Sequence, residues 1–185
     1  MKTLTLGITS IGLALLLASQ TSYSDNDEER SASFWQRSST IAPVSNPLYE
    51  EECGGCHFAY PPGLLPARSW QAIMDGLANH FGDNAELSAT NRQAIAQYLD
   101  DNSADKAVSR RSRKLIQSLP DNATPLRITA LPNFRREHRG IPARVFTNNP
   151  KLSSLSQCAA CHGDAKQGVF SERQISIPGY GRWDD

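Results

Sequence analysis

Apolar residues recur at helical spacing through the middle of the chain and lose that spacing toward its C-terminal end. Between residues 67 and 79, Trp70, Ile73, Met74 and Leu77 fall on one face of a helix. Phe81-Gly82-Asp83-Asn84 ends it, and Ser88 or Thr90 caps the next, whose stripe is Ile95, Tyr98 and Leu99. A third helix is expected over 104–119, with Val108, Leu115 and Leu119 inward, Arg110, Arg111, Arg113 and Lys114 solvated, and Pro120-Asp121 closing it. Upstream, Asn46-Pro47 reads as a helix start, with proline at the first helical position and Glu50 to Glu52 in the early turns. Three prolines and a glycine in Tyr60-Pro61-Pro62-Gly63-Leu64-Leu65-Pro66 predict a loop. Past residue 120 the pattern changes. Pro120, Pro125, Pro132 and Pro142 favour extended or irregular backbone. Asn149-Pro150 repeats the helix start, and Gly163, Gly168, Pro178, Gly179 and Gly181 predict loops after it. The expected fold is mainly α, a helical N-terminal unit followed by a largely irregular C-terminal one.

The chain opens on a different kind of segment. Lys2 gives a positive start, Leu6 to Ala18 is mostly apolar, and Ser22-Tyr23-Ser24 fits a small-x-small cleavage site. The apolar stretch is too short to span a bilayer, so residues 1–24 read as a signal peptide cleaved near Ser24, and the mature chain is expected in the periplasm. No other segment is apolar enough to cross a membrane. Residues 25–45 are rich in serine and charge and read as a flexible arm. Two units follow, residues 46–119 and 120–185. Net charge is zero, but unevenly spread. Residues 25–105 hold 13 acidic and 4 basic residues, a balance of −9; residues 106–185 hold 6 and 14, a balance of +8.

Each unit contains one copy of a five-residue signature, and together the copies use every cysteine: Cys53-Gly54-Gly55-Cys56-His57 and Cys158-Ala159-Ala160-Cys161-His162. Cys-x-x-Cys-His is the attachment signature of a c-type haem. The two thiols form thioethers with the haem vinyl groups, and the histidine becomes the proximal ligand. Paired Cys-x-x-Cys zinc sites lie closer together in sequence, a redox pair needs a βαβ context, and a disulfide framework has no use for the histidines. Two covalently bound haem c groups are therefore expected, and the apoprotein is expected to fold poorly.

The second axial position of each iron takes methionine or histidine. The chain has only His80 and His138 beyond the two motifs, and Met74 beyond Met1. Residues 120–185 contain no methionine, which points to His138 as partner of His162, the alternative being a surface histidine in a basic stretch and a five-coordinate iron. For the first haem, His80 and Met74 compete as partner of His57. They stand six residues apart and so on different helix faces, and Met74 also fits simple packing beside Trp70 and Leu77.

The segments Tyr60 to Pro66, Trp70…Met74…His80-Phe81-Gly82-Asp83-Asn84-Ala85 and Phe134-Arg135-Arg136-Glu137-His138-Arg139-Gly140-Ile141-Pro142 resemble the small periplasmic dihaem cytochromes c that partner an oxygen-binding, high-spin c-type haem protein. So do the second haem motif and Ile177-Pro178-Gly179. The resemblance covers nearly all of residues 46–180. It implies a first unit similar to a class I cytochrome c and bis-histidine ligation by His57 with His80 and His162 with His138. It also implies electron delivery to the high-spin partner, fed from a membrane cytochrome b.

Two low-potential bis-histidine haems make an electron carrier the leading expectation. The basic second unit favours its reduced haem, so entry at the first haem and exit at the second are expected. A dihaem enzyme or gas sensor, peroxidase-like, would need an open iron. A permanent haem subunit of a dehydrogenase would use the Arg110 to Lys114 cluster for docking. No phosphate loop, nucleophile elbow or dinucleotide fingerprint is present, and export argues against nucleic acid as a partner.

Overall fold

The computed structural model describes residues 40–183, so the signal segment and most of the arm lie outside the described residues. The order of elements is α1 (Pro47–Gly54), α2 (Ala67–Asp75), α3 (Ala89–Asp101), α4 (Arg110–Ile116), α5 (Pro132–Glu137), α6 (Cys158–Cys161) and a short hairpin, β1 (Ser176–Ile177) and β2 (Gly181–Arg182). Single 3-10 turns fill many of the gaps. The hairpin is antiparallel, with Ser176 opposite Arg182 and Ile177 opposite Gly181.

Local chemistry sets the helix starts. The Asn46 side chain accepts from the Tyr49 N–H at 2.9 Å, and Pro47 occupies the first turn of α1. Ser88 accepts from the Asn91 N–H at 3.1 Å and starts α3. Helix α2 is shorter than its apolar stripe. It stops at Gly76, and a 3-10 turn, Leu77–Asn79, carries the chain on. Trp70, Met74 and Leu77 are buried as their spacing requires.

Three local expectations change. The segment 60–66 is not an open loop: Pro62–Leu64 form a 3-10 turn, and Pro61 to Pro66 are all buried. The Trp70 indole donates to the Pro62 carbonyl at 2.7 Å, which satisfies one acceptor in that buried stretch. The third helix covers 110–116 rather than 104–119, because the Ser109 hydroxyl caps it at the Ser112 N–H (3.3 Å). Val108 therefore lies outside the helix and is 85% exposed. Asn149-Pro150 starts no helix. The Asn149 amide donates to the carbonyls of Val145 (3.0 Å) and Pro178 (2.9 Å), pinning the hairpin turn, and helix begins again only at Cys158.

The apolar interior is unequal. The larger cluster holds Tyr49, Leu65, Trp70, Met74, Ile95 and Leu99 and continues past Pro120 to Ile128, Leu131 and Phe134. The smaller holds Val145, Leu152 and Ile177, flanked by Ile141, Phe146 and Trp183. Ile41 is fully buried in the larger cluster, and its N–H donates to the Gly168 carbonyl at 3.0 Å, so the chain is anchored from Ile41 onward.

Candidate haem sites

Helix α1 carries Cys53 and ends at Gly54, so Cys56 and His57 sit just beyond its last turn. With its proton on Nδ1, His57 donates to the Phe58 carbonyl at 2.8 Å, leaving the Nε2 lone pair for a metal. The ring faces His80, centroid to centroid 6.1 Å and 24° from parallel. His80 is presented by a tight turn. Its N–H donates to the Asp83 carbonyl at 2.7 Å, and the Asp83 N–H returns to the His80 carbonyl at 3.3 Å. Both central residues have positive φ, Phe81 at 59° and Gly82 at 110°. Glycine adopts this readily; Phe81 does so at a cost, and its ring is gripped by the Arg127 guanidinium 3.8 Å above it. Arg127 lies past Pro120, so residues from beyond the first unit support the turn. Burial, then the neighbouring His57 and Arg127, hold His80 below the usual imidazole pKa.

The second site is built from shorter pieces. His162 caps α6, its N–H donating to the Cys158 carbonyl at 2.8 Å. His138 caps α5, where both its N–H (3.1 Å) and its Nδ1 (2.8 Å) bond the Phe134 carbonyl. Its ring lies flat on Phe134, 3.9 Å away and 13° from parallel. The two histidine rings are 6.2 Å apart at 72°. Burial, then His138 and Arg111, push the His162 pKa down to about 4, so the ring is neutral at ordinary pH. Cys158, His138 and His162 open on a cleft of about 1070 Å³ lined by apolar side chains such as Phe134 and Leu152 and edged by Arg113 and Lys114. As free thiols, before attachment, Cys53 and Cys158 are pushed up to about 11 by burial.

The ring separations test whether haem fits these residues. With metal–nitrogen bonds of about 2.0 Å and ring nitrogens about 1.1 Å from the ring centre, two imidazoles facing each other across a metal have centroids about 6.2 Å apart. Both pairs meet that distance. The stack of His138 on Phe134, at 3.9 Å, is a different kind of contact. Met74, the other candidate for the first iron, is 3% exposed and packs in the larger core.

Some supporting residues carried little or no signal. Phe134 precedes His138 by four, the spacing of neighbours on one helix face, so its role as a platform was readable in principle. Tyr60, whose ring lies 5.2 Å from His57, and Phe170, edge-on to His162 at 5.5 Å, come from loops whose placement no periodicity reveals.

Two signature motifs on one small helical chain, each with a second histidine across from the first, define a covalent two-haem protein. The family model for dihaem cytochrome c matches residues 49–170, and the chain belongs to that family. Among solved structures, the diheme cytochrome c from Rhodobacter sphaeroides is 43% identical, with a TM-score of 0.62 over 70% of this chain and 99% of that one. The diheme cytochrome type c from Shewanella baltica OS155 is 42% identical, with a TM-score of 0.62 over 75% of this chain and 98% of that one. No curated protein matches the chain. The protein thus carries two covalently bound c-type haems, and its family membership is consistent with electron transfer. No helix among the described residues is long and apolar enough to cross a membrane.

Proposed function

We propose that this protein is a periplasmic electron carrier with no bond-making chemistry of its own, holding both haem irons between two histidines. Cys53 and Cys56 would attach the first haem, and His57 and His80 would hold its iron. Cys158 and Cys161 would attach the second, held by His162 and His138. The observation that carries this reading is the pair of ring separations, 6.1 and 6.2 Å, each spanning two ligands far apart in sequence.

A bound haem supplies a one-electron ferric–ferrous couple. The chain's residues do the rest. The Nδ1 hydrogen bonds of His57 and His138 fix their tautomer and aim Nε2 outward. With haem bound, an imidazole on each side would close the iron to substrates and keep the potential low. A peroxidase or gas sensor needs one open face, and a second histidine stands opposite each proximal one. The partners are redox proteins, with a high-spin c-type haem protein as acceptor and a membrane cytochrome b as donor.

Low-temperature EPR of the oxidised holoprotein tests the ligation. Two low-spin signals of different shape are expected. The first pair is near parallel and the second near perpendicular, and the relative orientation of the imidazole planes sets the splitting of the iron d orbitals. A high-spin signal, or carbon monoxide binding to the reduced protein without ligand loss, would overturn the closed-site reading.

A further inference from the structure

Tyr60 touches both halves of the molecule. Its ring lies 5.2 Å from the His57 ring, tilted by 35°. Its hydroxyl donates to the Ser156 carbonyl at 2.8 Å, across 96 residues of sequence. The sulfur of Cys158 lies 3.6 Å from the same carbonyl oxygen. Thioether formation removes the thiol proton, so that contact carries over as placement rather than as a hydrogen bond. From the other side, the buried Tyr49 on α1 donates its hydroxyl to the Tyr60 carbonyl at 2.8 Å. Tyr60 is thus held at its backbone by the helix bearing the first motif, and at its phenol by the peptide entering the second.

We propose that Tyr60 is the electronic bridge between the two haem sites, coupling the His57 side to the Cys158 side through its ring and its hydrogen bond to Ser156. Tunnelling falls off less steeply through bonded atoms and hydrogen bonds than across a gap. A ring against one ligand and a hydroxyl on the carbonyl beside an attachment sulfur replace such a gap with a nearly continuous path. Tyr60 is neither oxidised nor deprotonated: the single electron lost on one side is the one gained on the other, and the phenol proton stays on its oxygen.

The inference rests on the electron-carrier reading, and the test separates the two. The rate of electron exchange between the haems would be measured after flash reduction of the holoprotein, first in the wild type. Tyr60→Phe keeps the ring and removes the hydroxyl. It is expected to slow exchange several-fold while both EPR signals and both potentials stay at their wild-type values. Tyr60→Leu, which also loses the ring, should slow it further. An unchanged rate in Tyr60→Phe overturns the bridge and leaves the carrier intact. Slowing accompanied by a shift in the first haem's EPR signal also overturns it, because Tyr60 would then act only by positioning His57. A wild-type protein whose haems exchange no electrons overturns the carrier reading and the bridge with it.

Discussion

The two histidine pairs share a separation but not a foundation. His57 and His80 stand on a half with a substantial protein core, where Trp70, Met74, Ile95 and Leu99 pack α2 against α3. His138 and His162 cap helices of only six and four residues, and although Phe134 under His138 belongs to the larger core, the apolar cluster beside the second motif has only Val145, Leu152 and Ile177 buried. Where the chain supplies little core of its own, the cofactor must be the core. The first half is therefore a fold that holds a haem. The second site is a cleft walled from both sides of Pro120, by Leu64 and Leu115 as well as Phe134 and Leu152, and a haem there would be their packing partner.

The sharpest way to break that comparison is to remove attachment at one site. In Cys158→Ala with Cys161→Ala, loss of one haem by intact mass should accompany loss of ordered structure around the hairpin, seen as collapse of amide protection over 141–183. The matching pair at Cys53 and Cys56 should leave the α2–α3 packing largely protected. Equal losses in both would remove the distinction.

Next in size is the ligand question in the first half. His80→Ala should convert the first haem to a high-spin, carbon monoxide-binding form. Met74→Leu, a nearly volume-conserving change, should leave both spectra intact and cost less than about 1.5 kcal/mol in denaturant unfolding. A changed visible spectrum in Met74→Leu would instead make the sulfur a ligand.

Smaller effects sharpen the contrast between the halves. Asn149→Ala orphans the carbonyls of Val145 and Pro178 and should destabilise the hairpin by about 1–3 kcal/mol, read as faster amide exchange near Ile177. Ser88→Ala removes the cap of α3 and should cost about 1 kcal/mol in the melting of the first half.

What could be read in the sequence divides along the same line. Caps and stripes in the first half act within a few residues, so Asn46, Ser88 and the Trp70–Met74–Leu77 face predicted their elements and burial. The haem count followed from Cys-x-x-Cys-His alone. The shortened third helix has a local cause, the Ser109 cap, whereas the other two failures turn on distant partners. Asn149 resembles Asn46 in sequence, yet it bonds the Pro178 carbonyl instead of capping a helix. The buried 3-10 turn at Pro62 depends on Trp70 reaching back to it. Arg127 reaches the His80 turn from 46 residues further along the chain, which no local pattern could reveal.

The backbone contact between Ile41 and Gly168 bears on the order of events in making the molecule. A Cβ at Gly168 would lie 1.7 Å from the Ile41 carbonyl oxygen, and the glycine also holds φ at 74°, so this position tolerates nothing larger. Ile41 is synthesised long before its partner. Until the residues after the second motif arrive and turn, its side chain has no closed pocket and its N–H no acceptor there. The seam therefore cannot close before residue 168 has been made. A bulky residue at 168 would produce a chain that acquires both haems yet leaves its leading end unfastened, open to proteolysis just ahead of α1.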